Sequence, residues 1–127
     1  MKQKVMIVDD SMVVRQQVGH ALSHAGFEVV QAVDGQDALE KLRLETVALV
    51  VCDVNMPRMN GLEFLDAMSR EGRKTSVVML TTEGQQSMIQ RAKQSGAKGW
   101  IVKPFKSELL VAAVRRLTAS DQKLQYM

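Results

Sequence analysis

Cysteine is almost missing from this chain: Cys52 is the only one in 127 residues. It cannot close an internal disulfide, and nothing in the composition calls for an oxidising compartment. Long apolar runs are missing as well. The N-terminal MKQKVMIV lacks the apolar stretch of a signal peptide, and VALVVC is far too short to span a bilayer. The expectation is a cytoplasmic protein with no membrane partner. Runs of one charge are also absent. A net charge of +3 is a modest surplus, spread without a run of five or more Lys and Arg, so nucleic acid is not an expected partner. Aromatics make up 4% against 46% hydrophobic residues, so the core must be aliphatic and rich in the nine methionines. The length suits a single domain, expected over 1–120 as a monomer, with 121–127 as a disordered tail.

What is present is a regular alternation. Short apolar runs occur at Val5–Val8, Phe27–Ala32, Val47–Cys52, Ser76–Leu80 and Trp100–Val102. Several are Val/Ile/Leu-rich with little polar alternation, as strands buried on both faces of a parallel sheet should be. Helical periodicity fills the gaps. Val14, Val18, Ala21, Leu22 and Ala25 share one face before Gly26 stops the first helix. The second helix follows the turn VDG and buries Ala38, Leu39 and Leu42; the third follows Asn60-Gly61 and presents Leu62, Leu65 and Met68. The fourth, about 85–95, has little more than Met88, Ile89 and Ala92. The fifth, with Ser107 as its expected N-cap, buries Leu110, Ala113, Val114 and Leu117. This β-α order predicts an α/β fold, a single-domain (βα)5 doubly wound parallel five-stranded sheet with helices on both faces; the flavodoxin-like strand order 2-1-3-4-5 is the arrangement expected for it.

Chemistry collects where the strands end. The first ends in Asp9-Asp10, the third in Asp53, the fourth in Thr81-Thr82 and the fifth in Lys103-Pro104. In open α/β sheets the binding crevice lies at the carboxyl ends of the strands, where the strand order reverses. Asp9, Asp10 and Asp53 would converge there. Three carboxylates in one cleft need a cation, and oxygen-only ligands suit Mg²⁺ or Mn²⁺. An N-cap role for Asp10 or Ser11 could explain one acid but not Asp53 as well. A carboxylate beside a metal can attack a phosphoryl group and form an acyl phosphate. Lys103 and the Thr81 hydroxyl could then neutralise and bind the phosphoryl oxygens. The Lys103–Pro104 bond is a candidate cis peptide.

These pieces, VDD at 8–10, CDVNMPRMNG at 52–61, LTT at 80–82 and GAKGWIVKPF at 96–105, together resemble the response-regulator receiver domains over residues 4–118. Each is weak alone; their order along the chain is specific. The resemblance implies a two-component phosphorelay protein, not an enzyme acting on an external substrate. Asp53 would be the phosphoacceptor. Asp10, Asp53 and the Asn55 backbone carbonyl would bind Mg²⁺ directly, with Asp9 acting through metal-bound water. Lys103 would pair with the phosphoryl group, Thr81 would be the switch hydroxyl, and Asn55 and Glu83 would tune dephosphorylation at the pocket mouth. The partners implied are a histidine kinase and a target protein at the face of helix 4, strand 5 and helix 5. Asn55, Glu83 and the one-domain length resemble chemotaxis regulators that bind the flagellar motor switch. The alternatives are a phosphorelay shuttle or sink, or an isolated receiver of a longer regulator. Trp100 departs from the family's pattern, in which the switch aromatic is usually Tyr or Phe; its bulk means that inward rotation on activation needs more space.

Two other chemistries fit less well. An aspartyl-phosphate phosphatase of the haloacid-dehalogenase type would carry D-x-D after the first strand and a cap insertion; here the motif is D-D and the length leaves no room for a cap. A flavodoxin-like FMN carrier needs a hydroxyl- and glycine-rich phosphate loop, where DDSMVVRQ presents two acids. Met56, Met59, Met79 and Met88 read as packing or loop residues, and Cys52 as a buried small hydrophobe. Arg115 and Arg116 complement the dipole of the fifth helix. His20 and His24 lie four apart and could share a metal, but the pattern offers no third ligand, so solvated histidines are the favoured reading.

Overall fold

The computed structural model describes residues 2–119. Five strands, β1 (Lys4–Val8), β2 (Glu28–Ala32), β3 (Leu49–Cys52), β4 (Ser76–Thr81) and β5 (Gly99–Val102), alternate with five helices, α1 (Met12–His24), α2 (Gly35–Leu44), α3 (Gly61–Arg70), α4 (Gln86–Gln94) and α5 (Ser107–Thr118). All strand pairs are parallel, as the alternation predicts, and the sheet order is β2-β1-β3-β4-β5, the flavodoxin-like order expected. The expected tail at 121–127 lies outside the described residues. Among those described, no helix is long and apolar enough to cross a membrane.

Side chains on a strand point alternately to opposite faces, and the central strands feed two cores. Met6, Val8, Val50, Cys52, Val77 and Met79 meet Leu39, Leu62, Phe64 and Leu65 of α2 and α3. Val5, Ile7, Leu49, Val51, Val78 and Leu80 meet Val18 and Leu22 of α1 and Leu110 and Val114 of α5. Burying each such side chain contributes about 1.5–3 kcal/mol. The edge strands differ from the expectation of burial on both faces: β2 is only partly covered, and β5 is half-buried, with Val102 exposed. An edge strand has one neighbour fewer, so its apolar run cannot report burial.

Helix starts are mostly set by side chains, which satisfy N–H groups that the first turn leaves unpaired. The Ser11 hydroxyl caps α1 and the Asp34 carboxylate caps α2. Asn60 and Glu63 form a reciprocal capping box on α3. Ser107 does not cap α5 as expected: it is the first helical residue, and Lys106 holds the cap position without a side-chain bond. The fourth helix is as thinly anchored as its sequence suggests, with Ala92 its one fully buried residue and no side-chain cap. Gly26, just past α1, adopts φ +100°, where a β-carbon would be strained.

Gly61 lets α3 start against the end of β3. A β-carbon there would lie 2.2 Å from the Asp53 carbonyl oxygen and 2.8 Å from the Met79 methyl. Gly61→Ala is expected to lower stability in urea unfolding by about 1–3 kcal/mol, because backbone must move. Gly19, mid-helix in α1, has its nearest neighbours at 3.6 Å. Gly19→Ala should instead raise stability by about 0.5–1 kcal/mol.

Candidate functional site

The two central strands run one residue past their ends before turning. The Asp9 N–H donates to the Ala32 carbonyl at 3.1 Å, and the Asp53 N–H to the Val8 carbonyl at 2.9 Å. The sheet ladder itself therefore fixes both acids side by side at the strand-order reversal. Asp9 is 2% exposed and Asp53 8%, so neither can lean out to water.

Each carboxylate divides its oxygens in the same way. One accepts from a backbone N–H: Asp9 Oδ1 from Ser11 at 2.9 Å and Asp53 Oδ1 from Val54 at 2.7 Å. The other accepts from Lys103 Nζ, at 2.8 Å for Asp9 and 3.2 Å for Asp53. Lys103 is carried there at the end of β5, where its N–H bonds the Thr81 carbonyl at 2.8 Å. The Lys103–Pro104 bond is cis. Burial pushes the Asp9 carboxyl up and prevails over the opposing pull of Lys103 and the Ser11 N–H, with the Asp53 charge adding to the rise. Burial works against the Lys103 ammonium, but its two carboxylate partners outweigh it and hold its proton more firmly. Burial, then the two nearby acids, keep the Cys52 thiol well above its usual range, which makes it inert.

Asp10 is exposed at the rim, and oxygens of Asp9, Asp10 and Asp53 lie within 4.8 Å of one another. Three carboxylates face one ammonium, which leaves two negative charges unbalanced. An all-oxygen set of this charge, open on the Asp10 side, fits a hard divalent ion such as Mg²⁺ or Mn²⁺ and not a nitrogen- and sulfur-loving one.

The remaining residues singled out in the sequence form a chain leading away from the acids. Asn55 Nδ2 donates to Glu83 Oε1 at 2.8 Å across the mouth of the cleft. The Glu83 N–H donates to the Thr81 hydroxyl oxygen at 3.3 Å, leaving the hydroxyl proton of that fully buried side chain free to donate elsewhere. Trp100 does not reach the acids. It is half-buried on β5, and its indole N–H donates to the Glu83 carbonyl at 2.9 Å. A cavity of about 220 Å³ lies on its face of β5, toward Ile89 and Ala92, and one of about 290 Å³ lies on the opposite face, toward Leu109 and Leu117.

Sequence reasoning missed the brace of the loop after β3. Arg58 sits in that loop at φ +62°, a conformation costly for a residue with a β-carbon. Its guanidinium grips Asp34 with two bonds, of 2.7 and 3.1 Å, and Gly35 N–H bonds the Met59 carbonyl at 3.1 Å. The N-cap pattern at Asp34 was visible in DGQD; its pairing with a residue 24 positions on was not. Burial pushes the Asp34 carboxyl up but is outweighed by Arg58 and by the N–H groups of Asp37 and Gln36, which hold it below the usual carboxylate range. Arg15 likewise supports the site unseen, donating to the Asp9 carbonyl at 2.7 Å.

Comparison with known proteins agrees with this geometry. The family model described as "Response regulator receiver domain" matches residues 5–115. The chain is 36% identical over 117 residues to the chemotaxis protein CheY of Bacillus subtilis, covering 91% of this chain and 98% of that one. It is 34% identical to the transcriptional regulatory protein PdtaR of Mycobacterium tuberculosis, covering 93% of this chain but 61% of that longer protein. The solved structure of Vibrio cholerae CheY4 superposes with a TM-score of 0.86 at 43% identity, over 92% of this chain and 99% of that one.

Two outcomes follow from the electrostatics. Lys103→Ala leaves two buried carboxylates without their cation; in chelator it should lose about 3 kcal/mol in urea unfolding, and Mg²⁺ should restore part of that loss. Asp34→Asn should cost about 1 kcal/mol at neutral pH, discounted because Arg58 is half-exposed. The Asp34 carboxyl is lowered on folding, so its contribution is complete above its unfolded value of about 3.9 and fades as pH falls through the folded value. The gap between variant and wild type should therefore close in acid.

Proposed function

Because this chain belongs to the response-regulator receiver family, we propose that it is a cytoplasmic signalling switch, phosphorylated on Asp53 in a reaction that requires Mg²⁺. The observation that carries this is the Asp53 carboxylate, buried at a strand end, 3.2 Å from Lys103 Nζ and clustered with Asp9 and Asp10. Asp53 is the nucleophile. Its Oδ attacks phosphorus of a phosphohistidine on a partner kinase, the N–P bond breaks, and the electron pair leaves with the imidazole. The product is an acyl phosphate on Asp53. Mg²⁺, when bound by Asp10, Asp53 and the Asn55 carbonyl, with Asp9 behind a bound water, supplies charge neutralisation at the phosphoryl oxygens. Lys103 exchanges one carboxylate partner for a phosphoryl oxygen. Water attack on phosphorus later restores the carboxylate and releases phosphate. Asn55 and Glu83, bonded together over the mouth, control that water's approach. The protein turns over no other substrate and so acts as a switch and not as an enzyme.

The signal leaves through Glu83. Its side chain holds Asn55, its N–H touches Thr81 and its carbonyl holds Trp100, so movement of the Thr81 hydroxyl toward a phosphoryl oxygen disturbs all three bonds. The cavity toward Ile89 and Ala92, on the Trp100 face of β5, supplies space that its bulk demands. The thinly anchored α4 is the element that shifts. Output is the binding of a target protein, by a monomer, on the face of α4, β5 and α5, where Val102 and Leu109 are 46% and 58% exposed. Chemotaxis, with the flagellar motor switch as target, is the output favoured by the near full-length match to CheY proteins. The partial match to a longer transcriptional regulator favours, as the second reading, the receiver of a different output system or a phosphorelay shuttle.

The test is intact mass after incubation with acetyl phosphate. Wild type with Mg²⁺ should gain one phosphoryl group. Chelator or Asp53→Asn should abolish the gain, and a phosphorylated Asp53→Asn would move the acceptor elsewhere.

A further inference from the structure

Asn55 sits between two braces. Across the cleft mouth its side chain is held by Glu83. Its backbone belongs to a loop that closes on itself, the Gly61 N–H donating to the Val54 carbonyl at 2.8 Å. Inside that closure the Met59 N–H donates to the Pro57 carbonyl at 2.7 Å, around Arg58 at φ +62°. A three-residue turn with positive φ at its centre is a rare and strained form. Such strain persists only where the surroundings over-determine the backbone.

The surroundings here are the start of α2. Arg58 offers Nε and Nη2 to the two oxygens of Asp34, at 2.7 and 3.1 Å. The Asp34 side chain is 4% exposed, so one partner of this pair is out of solvent, and a two-pronged bond fixes orientation as well as distance. Asp34 Oδ1 also caps α2 through the Asp37 N–H at 2.8 Å. The next residue, Gly35, donates its N–H to the Met59 carbonyl at 3.1 Å; a β-carbon on it would lie 2.9 Å from that carbonyl oxygen. Three bonds thus hold the turn from outside, all of them from one helix start.

We propose that Arg58 is a positioning residue for the metal ion: by gripping Asp34 it keeps the strained turn, and with it the Asn55 carbonyl, set for Mg²⁺ before the ion arrives. The inference rests on the Mg²⁺-dependent function proposed above and adds to it a residue that touches neither metal nor phosphoryl group. A ligand already in place leaves little ordering to the binding step, so it binds more tightly. Without the grip the turn is free to relax to the negative φ that residues with a β-carbon prefer, and the nearby carbonyl loses its aim. The coupling is reciprocal. An ion on the Asn55 carbonyl steadies the turn, and the turn steadies the first residues of α2. Occupation of the acid cluster is therefore felt toward α2 as well as through Glu83 toward α4.

The probe is MgCl₂, titrated into the metal-free full chain while the amide proton resonances of Val54 and Asn55 report the affinity of the folded protein. Arg58→Gly removes the grip and the strain together, since glycine takes positive φ readily. The variant should stay folded, which circular dichroism verifies, and bind Mg²⁺ about tenfold more weakly. Arg58→Lys, which keeps the charge but not the fork, should fall between. Asp34→Asn retains an oxygen for the α2 cap and should weaken binding as well; adding it to Arg58→Gly should bring no further loss, because both changes remove one contact. Arg43→Gln breaks an ion pair of 2.7 Å with Glu71, elsewhere on α2, and should leave the affinity unchanged. In wild type, Mg²⁺ should also slow hydrogen exchange at the Gly35 amide. A wild type that binds no Mg²⁺ would remove the function on which the proposal rests. Wild-type binding matched by Arg58→Gly, or an equal loss in Arg43→Gln, would overturn the positioning role alone. A Gly35 amide indifferent to Mg²⁺ would overturn the coupling to α2.

Discussion

Two carboxylates held in a buried cleft share one ammonium, and a third waits at the rim. Asp9 and Asp53 are locked there by backbone bonds that extend the sheet ladder, so their mutual repulsion cannot be relieved by turning away. Lys103 compensates in part, at 2.8 and 3.2 Å. The rest of the surroundings serve this imbalance. Gly61 admits α3 close behind Asp53, Arg58 and Asp34 pin the loop that follows, and Arg15 holds the Asp9 carbonyl. The site is unbalanced by design of the topology: parallel strands place their carboxyl ends together, and the reversal between β1 and β3 leaves a crevice for what the acids attract.

The same logic explains which parts of the molecule could be foreseen. Central strands are buried on both faces, so their apolar runs announce them, and the order of strand-end residues makes the acid cluster legible in the sequence itself. Hydrophobic pattern was less informative at the edges, where β2 and β5 have a neighbour on one side only. Ser107 looked like a cap because its residue type is right; the helix begins one residue earlier in register, and Lys106 takes the cap position. Arg58 with Asp34, and Trp100 with Glu83, escaped for a common reason. Each bond joins two loops or a loop and a strand, and no local spacing encodes a contact made only when distant turns meet.

Glu83 shows how little is needed to connect the cleft to the outer face. Three hydrogen bonds, to Asn55, Thr81 and Trp100, end on different atoms of one residue in the connection from β4 to α4. Each is worth about 1 kcal/mol net. A rearrangement at the cleft can therefore be matched by one at α4 without unfolding anything, since that helix contributes one buried residue to the core. The central strands β1, β3 and β4 are by contrast almost fully buried.

The indole at this junction has a use apart from its mechanical one. The chain holds a single tryptophan, so near-ultraviolet emission excited at the red edge of aromatic absorption comes from Trp100 alone. Its N–H is bonded to the loop carbonyl, and a cavity lined by Ile89 and Ala92 lies beside it. The wavelength and quenching of that emission track the polarity around the ring. The protein thus carries its own optical readout at the point where conformational change would pass, and needs no attached dye for its states to be counted in real time.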